Sequence, residues 1–439
     1  MKFREIVDSP CGIRYLFDGL EFQSGYARRR LLDSEMMTRQ EDIRAAYDAL
    51  SEYVRMLASD RKRVEDIRFR LQSLRDITGT LSSLSEGKVL DEIELFEIKH
   101  LAMLAESIGV GEEMDRIISI LDPDGLRIST FYIYDSYSVS LRGLRSRLEV
   151  DPENAELREA LMNEEDRIRR QLSSLLQVFA GPLRTALEEL GERDIVIAKA
   201  LQFQREGLVI PSLAEETEIR GMFHPEVRAI LARRSRTFQC VDFDFKLGVP
   251  ATLIGANMGG KTVVLKTLCL MQYLFQFGFA VPAAEARMTP YDEIAFCIGD
   301  EQSEQKGLSS FAAEMLRIDG MLGKIETGVR VLALVDEPAR TTNPVEGSAL
   351  VSALLELLAN KKNLTLVLTT HYQVDNAGQC WRVRGLKEGT RGLQMDYSLM
   401  KTDDNDVPHE ALNIAREIGI HPAWLRKADT IMKRQYEQK

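Results

Sequence analysis

The sequence predicts an all-helical first half followed by an α/β second half built on a parallel sheet. Three observations carry this expectation. Up to about residue 235, apolar residues recur at spacings of three and four. From about residue 236, short apolar runs alternate with helical stretches. Between the first of these runs and the helix that follows it lies a glycine-rich loop ending in Lys261-Thr262.

The size and composition fit such an arrangement. A chain of 439 residues exceeds one core and suffices for two or three domains. Hydrophobic residues make up 44% and charged residues 28%, the balance of a soluble globular protein. No run of about 18 apolar residues occurs, so no membrane span is expected. The start, Met1-Lys2-Phe3-Arg4-Glu5, runs into mixed charge without an apolar core, so no signal peptide is expected. The cysteines (Cys11, Cys240, Cys269, Cys297 and Cys380) form no C-x-x-C, and the five histidines are not clustered. Neither a zinc site nor a disulfide framework follows from them, and a reducing cytoplasm is the expected compartment. The net charge of −11 counts mildly against tight nonspecific binding of nucleic acid, although local patches matter more than the sum.

In the first half, Val64, Ile67, Leu71, Leu74, Leu81 and Leu84 make an apolar stripe with polar residues between them. Two stop clusters, Asp122-Pro123-Asp124-Gly125 and Asp151-Pro152-Glu153-Asn154, interrupt the helical pattern. After the second, Glu164, Ile168, Leu172, Leu175 and Leu176 resume it. The spacing predicts a helical bundle, with two long antiparallel helices turning near Pro152. In the second half, residues 251–254, 331–335 and 364–368 read as buried strands. From about residue 408, two short helical patterns flank Gly419-Ile420-His421-Pro422, as in a small helix-turn-helix. The expected domains are 1–235, 236–407 and 408–439.

The chemistry-bearing residues lie in the α/β part. Gly255-Ala256-Asn257-Met258-Gly259-Gly260-Lys261-Thr262 fits G-x-x-x-x-G-K-[ST], with an apolar strand before it and a helix from Lys261 to about Phe277 after it. Glycines let successive amides point at a phosphate, and the helix presents its positive end to the same anion. Lys261 reaches the β and γ phosphates, and the Thr262 hydroxyl suits Mg²⁺. The loop residues Gly255, Asn257, Met258, Gly259, Gly260 and Val263 complete the phosphate cradle. Asp336-Glu337 ends the strand 331–335, where Asp336 would hold Mg²⁺ and Glu337 would activate the attacking water. An Asp-Glu pair at a strand end is often a solvated cap; its distance from the glycine loop favours the chemical role. His371, after the next strand in Thr369-Thr370-His371-Tyr372, would sense the γ-phosphate or the attacking water. Residues 299–315, from Gly299-Asp300-Glu301-Gln302-Ser303 to Leu308-Ser309-Ser310-Phe311-Ala312-Ala313-Glu314-Met315, hold small hydroxyl residues at a helix start. Taken alone, these read as an ordinary N-cap.

These strings, with Asp336-Glu337-Pro338-Ala339-Arg340-Thr341-Thr342, Gly347 and Thr370-His371-Tyr372, resemble the ATPase domain of the MutS family. Gly278-Phe279-Ala280-Val281-Pro282-Ala283 and the tail Ala415-Arg416-Glu417-Ile418-Gly419-Ile420-His421-Pro422 are similar too. Ile298-Gly299-Asp300-Glu301-Gln302-Ser303 and Lys261-Thr262-Val263-Val264-Leu265-Lys266-Thr267 look closest to the second MutS subfamily, which usually ends in a nuclease-like Smr domain. The resemblance covers about 235–430, and more weakly the first half through residues 24–32 and 135–142. It implies an α-helical core and lever domain plus an α/β P-loop NTPase domain, an ABC-type ATPase of the MutS kind, with a C-terminal helix-turn-helix. It also implies a homodimer with composite ATP sites. Ser309 would cap the γ-phosphate bound to the other copy. Phe238 would pack on adenine, Tyr397 would lie on the base's other side, and the C-terminal helices would pack on the partner.

The chain departs from the family pattern in several places. No mismatch-reading domain is expected before the helical core, and Phe3-Arg4-Glu5 is expected to match F-x-E, the mismatch-wedge pattern, by coincidence. Residues 150–154 are too short for a DNA clamp, and an Smr domain is not expected after Lys439. Ala256 replaces the usual Pro, and Pro338 and Ala339 differ from the commoner residues. Arg28-Arg29-Arg30 and Arg61-Lys62-Arg63 read as solvated helix faces. The expected activity is Mg²⁺-dependent hydrolysis of ATP that drives a dimeric clamp on duplex or branched DNA, in mismatch repair or recombination. The alternative is ATP-driven remodelling or reactivation of a protein client without DNA, and a third is a nucleotide-dependent scaffold.

Overall fold

The apolar runs read from the sequence become strands because they are shielded on both faces. The computed structural model describes residues 1–439 except 129, 256–258, 299–309, 360, 375–377, 387–394, 403–411, 413, 414, 417, 418, 438 and 439. Its strands are β1 (Ser212–Leu213), β2 (Thr217–Met222), β3 (Val241–Phe245), β4 (Ala251–Ile254), β5 (Glu285–Met288), β6 (Glu293–Cys297), β7 (Val331–Asp336), β8 (Leu364–Thr370), β9 (Gln379–Leu386) and β10 (Met395–Lys401). They form a six-stranded sheet in the order β10-β9-β4-β8-β7-β6 and a four-stranded sheet in the order β1-β5-β2-β3. Strands β9, β4, β8, β7 and β6 run parallel, while β10 pairs antiparallel with β9, so the expected parallel sheet is mixed at one edge. The small sheet was not foreseen, and its β1 and β2 lie in the stretch dominated by helical periodicity.

Two compact units divide the chain. One comprises residues 1–19, 35–48 and 202–439, and the other residues 20–34 and 49–201. Within the first unit, one face of the large sheet packs a cluster from β6, β7 and β8 against helices Ser310–Glu326 and Pro344–Leu358, including Ile318, Met321, Leu355 and Leu366. Helix Lys261–Gln276 is buried along most of its length, ending at Phe277 as expected. Buried amides fix its far end. Gln276 Nε2 donates to the Met37 and Tyr291 carbonyls (2.8 and 2.6 Å), and Gln272 Nε2 donates to Gln276 Oε1 (2.7 Å). The chain start joins this unit. Phe3 is 1% exposed and meets Phe17, Phe277 and Phe279 at ring separations of 5.0–5.8 Å. The phenylalanine of the F-x-E string is therefore a core residue.

The second unit is helical. Helices Val139–Val150 and Ala155–Leu176 flank the Pro152 break, and Arg145 bridges to Glu165 at 2.9 Å. Leu172 and Leu176 are buried, but Leu175 is 49% exposed, because it lies off the buried stripe. The series from Val64 to Leu84 is split between helices Arg61–Leu71 and Thr78–Ser85, with Leu74 buried in the loop between them. Asp194, 1% exposed, accepts from the Ser24 amide and hydroxyl (both 2.8 Å), while Ser24 Oγ caps helix Gly25–Asp33 by accepting from Ala27 N–H. Arg29 pairs with Asp76 (2.5 Å) and Arg61 with Glu65 (3.0 Å), as solvated basic faces do. No helix among the described residues is long and apolar enough to cross a membrane.

Candidate phosphate-binding and hydrolytic site

Parallel strands place their carboxyl ends on one edge of the sheet, where the candidate residues gather. Ile254 of β4 pairs with Thr370 of β8, and Asp336 of β7 pairs with Thr369 of β8. The residues just beyond these ends are Gly255, Glu337 and His371. Gly255 has φ 152°, and a Cβ there would lie 3.2 Å from Val383 Cβ, so the loop leaves β4 along a path only glycine fits. Gly260, at φ 79°, starts helix Lys261–Gln276, whose first turn has neither a side-chain cap nor an acidic residue. Its positive end therefore carries no capping or acidic side chain of its own.

Lys261 is 4% exposed. Its Nζ donates to the Gly255 carbonyl at 2.8 Å and lies 3.1 Å from Glu337 Oε1. Thr262 Oγ1 donates to Asp336 Oδ2 at 2.8 Å, and Thr369 Oγ1 donates to Asp336 Oδ1 at 2.7 Å. The Glu337 amide donates to the same Thr369 hydroxyl at 2.9 Å. Thr369 thus orients both acidic residues. Sequence reasoning passed over it, because a threonine within an apolar strand reads as β-propensity alone.

His371 lies beside Tyr372, its ring tilted by 41° with centroids 4.2 Å apart, and its buried Nδ1 has no hydrogen-bond partner among the described residues. Burial lowers its pKa; the Glu337 charge opposes this, and Lys261 and Arg340 add to it. The neutral imidazole is therefore favoured. Tyr397 on β10 is 40% exposed and places Cδ1 3.4 Å from the Cβ that Gly260 would carry if it had one. Gln239, next to Phe238, donates through Nε2 to Asp396 Oδ1 (2.7 Å) and accepts the Tyr397 amide (3.0 Å). Its side chain therefore ties the Phe238 segment to β10, a link with no signal in the sequence. Val263 lies in the first turn of the Lys261 helix, and Gly259 precedes Gly260. Asn257, Met258 and Ser309 lie outside the described residues.

The donor set suits a metal carried by a phosphate ligand. Among the described residues, no group of three or more His, Cys, Asp or Glu makes a self-sufficient metal site. One threonine hydroxyl with one carboxylate leaves most of the coordination sphere to phosphate oxygens and water, the habit of Mg²⁺.

Residues 251–383, which span this edge from β4 to β9, match the family model of MutS domain V. The chain is 36% identical over 228 residues to a protein of Pelotomaculum thermopropionicum named Endonuclease MutS2, and equally to one of that name from Exiguobacterium sibiricum. Each match covers 50% of this chain and 28% of the relative. An Endonuclease MutS2 of Lactococcus lactis is 29% identical over 387 residues, which is 85% of this chain and 46% of the relative. The chain thus spans less than half the length of these curated relatives.

Proposed function

For a chain that belongs to the MutS family and is MutS2-like, we propose ATP hydrolysis as the activity of the α/β unit. One arrangement carries the reading: Lys261, Thr262, Asp336 and Glu337 meet in hydrogen-bonding range at the carboxyl edge of β4, β7 and β8. Thr262 and Asp336 would hold Mg²⁺ brought with the nucleotide, and the ion would supply positive charge against the phosphates. Lys261 would leave Glu337 for the β and γ phosphates. That exchange frees the Glu337 carboxylate, which then takes a proton from the attacking water. The Lys261–Glu337 ion pair would otherwise hold both groups, so the base would be released only as phosphate takes the ammonium. His371, its neutral form favoured, would sense the γ-phosphate.

In a homodimer, Ser309 of one copy would cap the γ-phosphate held by the other, and Phe238 and Tyr397 would flank adenine. The helical part of residues 1–235 would serve as core and lever, and residues 408–439 would form the helix-turn-helix that docks on the partner. Nucleotide state would open and close the pair by population shift. The likeness to proteins named Endonuclease MutS2 supports action on DNA, in repair or recombination. The net charge of −11 favours the second reading, a protein client gripped without DNA.

Phosphate release by the wild type and by Glu337→Ala tests the first step. A hydrolase loses turnover in the variant while still binding ATP, and a scaffold shows little turnover in either. Fluorescence anisotropy with homoduplex, mismatched duplex and four-way-junction DNA, under ADP, ATP and a non-hydrolysable analogue at two salt concentrations, separates the two uses. Nucleotide-dependent binding with a steep salt slope supports the DNA reading. No binding at micromolar protein, with hydrolysis intact, refutes it.

A further inference from the structure

The turn after Glu337 is strained, and two side chains from elsewhere hold it. Glu337 and Ala339 both sit in left-handed backbone, with φ of 43° and 60°. A Cβ makes that conformation unfavourable, so such residues persist only where their surroundings fix them. Ala339 is 1% exposed and held on both sides. Its N–H donates to Glu314 Oε2 at 3.2 Å, and its carbonyl accepts the Tyr372 hydroxyl at 2.8 Å. Tyr372 reaches it because residue 347 is glycine: a Cβ there would stand 2.4 Å from the tyrosine oxygen. Glu314 belongs to helix Ser310–Glu326, which packs on β6 and β7, and Tyr372 follows the end of β8. Burial raises the Glu314 pKa, against the pull of the Ala339 amide and of Arg317 and Arg340, so the fold keeps a carboxyl where its charge is disfavoured.

The geometry points to Glu314 and Tyr372 as positioning residues for Glu337, a clamp that holds the strained Ala339 turn in the one conformation that aims the Glu337 carboxylate at its water. The inference rests on the reading of Glu337 as the water-activating group. Neither clamp residue touches the reacting atoms. Because Glu314 is on helix Ser310–Glu326, displacement of that helix would loosen the turn and slow the chemistry without emptying the phosphate cradle.

The test is steady-state ATP hydrolysis by the full chain carrying Glu314→Ala, Glu314→Gln or Tyr372→Phe, each in the native and the Ala339→Gly background. Glu314→Ala and Tyr372→Phe are expected to lower kcat about tenfold or more, with KM for ATP changed less than about threefold. Glu314→Gln keeps an oxygen that can accept the Ala339 amide and should restore most of kcat. With glycine at 339 the left-handed turn needs less holding, so the same losses should shrink to about threefold or less. Unchanged kcat in both clamp variants, or losses equal in the two backgrounds, would overturn the clamp. A wild type without turnover would instead overturn the hydrolase reading itself. Should Glu314→Ala fail to fold, Tyr372→Phe alone decides: a loss relieved by Ala339→Gly supports the clamp, and an unrelieved loss or none overturns it.

Discussion

Replacing Glu337 by glutamine isolates the ion pair at the centre of the site. Lys261 Nζ and Glu337 Oε1 are 3.1 Å apart, with the two side chains 4% and 11% exposed. At that separation, an effective dielectric of about 20 gives an attraction of roughly 5 kcal/mol, much of it offset by the cost of taking both charges out of water. Glutamine keeps the volume and an accepting oxygen but removes the charge that faces the ammonium. The nucleotide-free protein should lose about 2 kcal/mol of stability. Binding should move the other way, because a phosphate no longer competes with Glu337 for Lys261. ATP affinity is expected to stay the same or rise up to about tenfold, while turnover falls at least about a hundredfold. Urea unfolding without nucleotide, calorimetric titration with Mg-ATP and a phosphate-release assay read the three quantities. A variant with turnover within threefold of wild type would refute the catalytic assignment. Unchanged nucleotide-free stability together with weaker ATP binding would refute the role given to the ion pair.

Three further outcomes follow from the same geometry. Gly347→Ala, in helix Pro344–Leu358, would ordinarily stabilise a helix by about 1 kcal/mol, but here the new Cβ would meet the Tyr372 hydroxyl at 2.4 Å. A net loss of about 1–3 kcal/mol in chemical unfolding is expected, and a gain would count against the packing described. Thr262→Ala should raise the Mg²⁺ concentration needed for half-maximal turnover by about tenfold with the fold unchanged by circular dichroism, since it removes one of the two protein oxygens for the metal. His224, 3% exposed, is pushed by burial down to about 4, with the Cys11 carbonyl opposing the shift and Lys266 adding to it. The unfolded imidazole binds its proton near pH 6.5, so between about 6.5 and 4 the unfolded state holds more protons and stability falls as pH falls. Its contribution is at most about 3 kcal/mol, and urea midpoints at pH 7, 5.5 and 4.5 should show a slope that His224→Gln flattens.

What the sequence disclosed depended on how far apart the cooperating residues lie. Strands β4, β7 and β8 are buried on both faces, so their unbroken apolar runs announce them. Strand β10, Met395-Asp-Tyr-Ser-Leu-Met-Lys401, is a partly exposed edge, and β3 and β5 interleave charged residues with buried ones, so neither makes such a run. The glycine loop and Asp336-Glu337 were readable because each is a contiguous string whose neighbours dictate its backbone. Glu314, Tyr372 and Gly347 come together only through packing of two helices and the end of β8, and Gln239 meets Tyr397 from 158 residues away. Nothing in their local spacing marks such meetings. The positive φ of Ala339 was equally hidden, since alanine gives no hint of left-handed backbone.

The aromatic cluster around Phe3 sets the order in which the protein can be made. The ring of Phe3 closes on Phe277 and Phe279, and Tyr47 lays its hydroxyl 3.1 and 2.9 Å from the carbonyls of Phe275 and Phe279. A ribosome delivers Phe3 first, and those partners only after the whole stretch 49–201 has emerged. That stretch can fold while synthesis continues, whereas the first residues must wait with their aromatic side chains uncovered. Completion of helix Lys261–Gln276 and the turn after it is then the moment when the start of the chain is captured. A fragment cut to begin near residue 236 would emerge with Phe277 and Phe279 bare, and would be expected to aggregate before it could be assayed.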